Sequence, residues 1–191
     1  RFERQGGGKE AIENAAKLLS KAKFPVILSG AGVVLGGAID ECKKLAEKLD
    51  SPVCNGYQHN DSFPGSHPLA VGPLGYNGSK AAMELISKAD VVLALGTRLN
   101  PFSTLPGYGI DYWPKKASII QVDMNPDRIG LTKKVSVGIC GDAKQVAKQI
   151  LDKLSSDAGN TGREERKNLI HKTKSAWLQT LSGLDHEEDD P

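Results

Sequence analysis

The stretch PVILSGAGVVLGG, residues 25–37, carries a short apolar run into a glycine turn. Such a run stopping at Gly-x-Gly predicts a buried strand that ends in a tight strand-to-helix turn. Two uses of those glycines fit. Their backbone N–H groups can approach a pyrophosphate closely, with the following helix N-terminus favouring the negative charge. Tight turns also recruit glycine for its conformational freedom alone. The spacing Gly30-x-Gly32-x-x-x-Gly36 does not decide between them. A dinucleotide site also places an acidic residue at the end of its second strand, and here that strand ends at Cys54-Asn55, with Asp50 before it.

Outward from the turn, the elements alternate. A helix is expected from about Lys9 to Lys23, with Ile12, Ala15, Ala16 and Leu19 on one face, broken at Phe24-Pro25. After the turn, AIDECKKLAEKL predicts a helix with Ile39, Cys42, Leu45, Ala46 and Leu49 inward, and PVC a short strand. Residues 55–78 read as one long glycine- and proline-rich connection, a length usually tied to function. SKAAMELISKA follows as a helix capped by Ser79, then DVVLALG as a strand buried on both faces. A second loop leads to the strand SIIQVD, a short helix at MNPDRIG, the strand KVSVGIC and the helix DAKQVAKQILDKL. Continuous apolar strands alternating with helices predict an α/β, doubly wound, mostly parallel Rossmann-like sheet with helices on both faces. From about residue 162 a polar helix carries a thin stripe of Leu169, Thr173, Trp177 and Leu181, which suits a linker or docking helix.

Composition narrows the function. Basic and acidic residues number 25 and 23, and the lysines are scattered, so no nucleic-acid groove is expected. Aromatics are 5% of residues, too few for a base-stacking platform. No apolar run reaches the roughly 18 residues of a membrane helix. Cys42, Cys54 and Cys140 form no CxxC pair, which argues against a disulfide framework or structural zinc and for a cytoplasmic protein. The opening RFERQGGGKEAIENA has no signal-peptide layout, and the segment reads as the middle of a longer protein.

In an open parallel sheet ligands sit beyond the strands' carboxyl ends. Glycine, guanidinium or carboxylate groups stand there four times: at Gly30 and Gly32, at Gly96-Thr97-Arg98, at Asp123-Met124-Asn125, and at Gly141-Asp142. Cys54, His59, Asp61 and His67 share one loop but match no zinc spacing. Gly141-Asp142, with Asn160 downstream, imitates a magnesium–diphosphate turn, but Ala143 follows and Asp142 suits a helix N-cap better. A NAD-dependent protein deacylase shares the Gly-Ala-Gly turn and a Gly-Thr pair, yet needs a His-Gly pair and four zinc cysteines. None of His59, His67, His171 and His186 precedes glycine, and the cysteines are three. A stand-alone nucleotide-binding regulatory module remains open.

PVILSGAGV, HPLAVGPLGYNG, ADVVLALGTRLN, IIQVDMNPDRIG and GDAK, in that order, resemble the middle domain of the acetolactate-synthase-like thiamine diphosphate enzymes over about residues 9–155. The wording of residues 75–114 is most similar to members that convert sulfoacetaldehyde and phosphate to acetyl phosphate and sulfite. The resemblance implies a parent with an N-terminal pyrimidine-binding domain, residues 1–158 as central domain, residues 159–191 as linker helix and acidic tail, and a C-terminal diphosphate-binding domain. Thiamine diphosphate and Mg2+ would bind outside this segment, which would carry no catalytic residue, and the parent would be a homodimer or homotetramer. Relatives hold FAD or ADP in this domain. Carried over by position, the contacts are Gly30, Gly32, Gly75, Tyr76, Asn77, Gly78, Gly96, Thr97, Arg98, Asp123, Asn125 and Asp142. Flavin-binding relatives follow Gly-x-Arg with an acidic, arginine-bearing segment, whereas this chain has LNPFSTLPGYG, with two prolines and no charge, which argues against a flavin.

Overall fold

The computed structural model describes residues 5–184; the RFER opening, and His186 with the acidic end of the 159–191 segment, lie outside the described residues. Six parallel strands run β1 (Pro25–Ser29), β2 (Val53–Asn55), β3 (Ala70–Pro73), β4 (Val91–Leu95), β5 (Ser118–Asp123) and β6 (Val137–Cys140), in the spatial order β3-β2-β1-β4-β5-β6. The central register pairs Ile27 with Leu93 and Leu93 with Ile120. The order reverses between β1 and β4, which makes their carboxyl ends the topological switch point.

The helices are α1 (Lys9–Lys21), α2 (Ala31–Leu35), α3 (Ile39–Leu49), α4 (Lys80–Ile86), α5 (Ala143–Lys153) and α6 (Arg163–Leu184). Alternate strand residues face opposite layers, so the central strands β1 and β4, buried along their whole length, are largely apolar on both faces. Ile27, Leu93 and Ile120 pack with Leu19 of α1, Leu45 of α3 and Ile150 of α5. Val26, Leu28, Val92 and Ala94 face Ala82, Leu85 and Ile86 of α4 and Ile170 of α6.

Three expectations are corrected. The connection 55–78 contains β3, whose sequence AVGP hides it; glycine and proline are tolerated because β3 is an edge strand. The glycine turn itself holds a short helix, α2, that was not expected; the expected helix follows it as α3, with Ile39 only half-buried at its start. Helix α1 ends at Lys21, and the Asp90 carboxylate accepts the Lys23 and Phe24 amides at 2.7 and 2.9 Å, tying this exit to the start of β4.

Helix α6 docks on the body by a face that shares most of the expected stripe: Thr173 is buried beside Arg166 and Ile170, Leu169 packs half-buried on the core and Trp177 meets Tyr108 edge-on at 5.6 Å, while Leu181 is exposed. The buried Arg166 guanidinium donates to five carbonyls, those of Lys23, Leu49, Asp50, Gly159 and Thr161. Leu49 and Asp50 close α3, where carbonyls lack helical partners and a cation is favoured. Arg163 pairs with the Asp50 carboxylate in the same corner. No helix among the described residues is long and apolar enough to cross a membrane.

Candidate functional site

A cleft of about 550 Å³ opens at the switch point. Of the positions expected from sequence, Gly30, Gly32, Gly96, Thr97, Arg98, Asp123 and Asp142 line it. Its volume is in the range of ligand pockets, roughly 300–1,000 Å³.

The glycine turn is shaped by the sheet beside it. The Gly30 amide donates to Leu95 O at 3.1 Å and the Gly32 amide to Gly96 O at 2.8 Å. A Cβ on Gly30 would stand 2.6 Å from Gly96 O and from Thr97 Cβ; one on Gly32 would stand 2.6 Å from Gly96 Cα. The turn therefore needs glycine because its backbone lies against the backbone leaving β4. Two of the amides that a pyrophosphate would use are already engaged.

The remaining lining is polar and mixed in charge. Asp123 Oδ1 accepts the Asn125 amide at 2.8 Å, and Thr97 Oγ1 accepts the Leu99 amide at 3.2 Å. The Asp142 carboxylate accepts the Gln145 amide at 3.1 Å as the N-cap of α5. That is the capping role expected of it. Arg98 presents an exposed guanidinium at one wall. Arg128, His59, Tyr57 and Gln58 also line the cleft. They were missed, although Gly56–His59 leave the carboxyl end of β2 and the strand-end rule covers them.

Gly75, Tyr76, Asn77, Gly78 and Asn125 do not line the cleft. Asn125 Oδ1 accepts the Asp127 amide at 3.0 Å, capping a short 3-10 turn at 126–128. Residues 75–78 form a packing turn against the 101–104 segment: the Tyr76 amide donates to Phe102 O at 3.1 Å, and a Cβ on Gly75, at φ +82, would collide with that carbonyl. Gln121 was not singled out by sequence. Buried in β5, it donates through Nε2 to Thr97 O and Arg128 O at 3.2 Å each and accepts the Gly130 amide at 2.8 Å, fixing the two connections that bear Arg98 and Arg128. Its polarity inside an apolar strand is the signal that a buried partner network exists.

Among the described residues no group of three or more His, Cys, Asp or Glu side chains is placed to hold a metal. Cys54 lies in the core, donating to Ala82 O at 3.8 Å, while His67 pairs with Glu47 at 3.1 Å. Burial pushes the Cys42 thiol up to about 12 and the Tyr112 phenol up to about 12.

Residues 12–150 match the family model of the thiamine pyrophosphate enzyme central domain, and the chain belongs to that family. It is similar to a protein named "Probable sulfoacetaldehyde acetyltransferase" in Rhizobium meliloti, 78% identical over 191 residues, covering 100% of this chain and 32% of that protein. A sulfoacetaldehyde acetyltransferase of Roseovarius nubinhibens is 76% identical over 190 residues, again covering 100% and 32%. A protein named "Probable acetolactate synthase large subunit" in Methanocaldococcus jannaschii is 36% identical over 173 residues, covering 91% and 27%. A solved chain from Mycobacterium smegmatis, described as a thiamin diphosphate-dependent enzyme, superposes with TM-score 0.66 at 25% identity, covering 83% of this chain and 31% of that one. The chain thus spans about a third of the length of the curated relatives it matches.

Proposed function

We propose that this chain is the central domain of a cytoplasmic thiamine-diphosphate-dependent acetyltransferase that converts sulfoacetaldehyde and phosphate to acetyl phosphate and sulfite. One observation carries the reading: identity to sulfoacetaldehyde acetyltransferases ranges from 51% to 78% along nearly the whole chain, against 36% for the acetolactate synthase relative cited. In this reading residues 1–158 form the central domain and 159–191 lead toward a C-terminal domain. Thiamine diphosphate and Mg2+ bind to the flanking domains of a homodimeric or homotetrameric parent. When bound, the cofactor would supply the electron sink through which the aldehyde's C–S bond breaks and its acetyl unit passes to phosphate, and the nearest imitation of its magnesium motif here, Asp142, caps α5. The domain's work is positional. The test is to give the full-length protein sulfoacetaldehyde with phosphate, and separately pyruvate. Acetyl phosphate and sulfite in the first assay, with no acetolactate in the second, support the reading; acetolactate formation favours the acetolactate synthase alternative.

A second reading concerns the cleft. Its volume and position fit a nucleotide, with the exposed Arg98 guanidinium able to meet a phosphate bidentately and Asp123 able to accept from ribose or adenine. ADP fits this lining better than FAD, because residues 99–109 carry no charge and two prolines beside Arg98.

A further inference from the structure

A second concavity, of about 530 Å³, lies away from the switch point, between α6, the end of α3 and the approach to β3. A cavity of that size holds one small molecule. Helix α6 supplies one wall: Lys167, His171, Lys174 and Leu178 recur at the i, i+4, i+7, i+11 spacing of a single helix face. That face adjoins the one by which Arg166, Ile170 and Thr173 enter the body. Pro68, Leu69, Ile170 and Leu178 give the cavity an apolar lining, and Leu178 is left 60% exposed.

The charges around it are not balanced. Glu47 lies 3.1 Å from His67 Nε2 and 4.0 Å from Lys43, and Asp50 pairs with Arg163. The Leu69 amide donates to His67 Nδ1 at 3.1 Å, so that nitrogen carries no proton and Nε2–H is the donor to Glu47. Both carboxylates are thus engaged, whereas Lys167 and Lys174 meet no carboxylate among the described residues. Lys174 Nζ donates to His67 O at 3.3 Å and to Pro68 O at 2.8 Å, two neutral acceptors that leave its third N–H for a ligand. Burial holds the Lys174 pKa below the usual lysine value, with no anion to offset the desolvation.

We propose that this pocket binds a small organic anion, a carboxylate carried on an apolar body, with the carboxylate at Lys174 and the body against Leu69, Ile170 and Leu178. The anion supplies the charge partner that Lys174 lacks, and the body takes Leu178 and its neighbours out of water. An inorganic anion would leave the apolar lining wet, and a neutral apolar molecule would leave the ammonium unpaired, so the two features together select the amphipathic acid. The site stands apart from the switch-point cleft and does not depend on the acetyltransferase reading.

The test is calorimetric titration of the full-length protein with 2-naphthoate, an aryl carboxylate, and with its uncharged counterpart 2-naphthamide. One 2-naphthoate should bind per chain with Kd below about 0.3 mM, the affinity expected of a ligand of that size. The amide should bind at least about tenfold more weakly, the worth of a charge-assisted contact. Lys174→Met, which keeps the stem and removes the charge, should weaken 2-naphthoate by a similar factor. Leu178→Asp changes an exposed position that holds no packing, so it keeps the fold and should abolish binding. Saturating ADP should leave the titration unchanged, since the nucleotide cleft lies elsewhere. No heat with 2-naphthoate overturns the proposal, as when another part of the polypeptide fills the pocket. Equal binding of the amide, equal binding by either variant, or displacement by ADP each overturns it as well.

Discussion

Gly32 and Gly96 lie backbone against backbone. The Gly32 amide donates to Gly96 O at 2.8 Å, and a Cβ on either residue would stand 2.6 or 2.7 Å from the other's Cα. Gly32→Ala must therefore push the turn away from β4, whatever the cleft binds. The expected cost is about 2–3 kcal/mol, read as a lowered urea midpoint without nucleotide. Gly96→Ala adds left-handed strain at φ +63, and the two changes should not add, because both open the same gap. Normal stability in Gly32→Ala would hand the glycines back to a ligand.

Arg166 closes the corner where α6 meets the ends of α1 and α3. Arg166→Met leaves five carbonyls without their donor and should cost about 3–5 kcal/mol, with faster amide exchange along α6. Arg166→Lys keeps the charge but not the fork, and should fall between the two. A Met variant as stable as the parent would mean that α6 is held by Ile170 and Thr173 instead.

The thiols give a pH signature. Burial pushes the Cys42 thiol from 9.0 up to about 12, raises Cys54 as well, and pushes Tyr112 from 10.0 up to about 12. Between the unfolded and folded values the folded chain keeps protons that the unfolded chain has released. Stability is then fully present below pH 9 and lost as pH rises toward 12, by about 1.4 kcal/mol per pH unit for each group in its window. Denaturation midpoints from pH 8 to 11 check the slope. At pH 8 a thiol reagent should reach the half-exposed Cys140 and spare Cys42 and Cys54 until the chain unfolds.

How far the sequence led depends on the element. The strands β1, β4 and β5 were legible because burial on both faces leaves continuous apolar runs. Strand β3 was not, since an edge position lets Gly72 and Pro73 stand where a strand signal is expected. The capping of α4 by Ser79 and of α5 by Asp142 follows from local chemistry, and both hold. Arg166 and Gln121 were invisible as anchors, because their partners are main-chain groups distant in sequence or in turns that no motif marks. The candidate site was half legible. Strand ends gather by topology, which places Gly30, Arg98 and Asp123 together. The GYNG contacts came from the resemblance, and here Gly75 and Tyr76 pack against Phe102.

For the cleft, calorimetry with ADP should give micromolar binding that Arg98→Ala weakens by at least about tenfold, the worth of a bidentate charge-assisted contact. FAD should give none. Equal binding of ADP by the variant would remove Arg98 from the site, and no heat with either ligand would leave the domain as scaffold.

The most direct measurement compares acetyl phosphate and sulfite formation by the full-length protein and by residues 1–191, each supplied with thiamine diphosphate, Mg2+, sulfoacetaldehyde and phosphate. The full-length protein should form both products in equal amounts and the segment neither. Turnover by residues 1–191 alone would contradict the account, because catalytic groups would then lie within the domain.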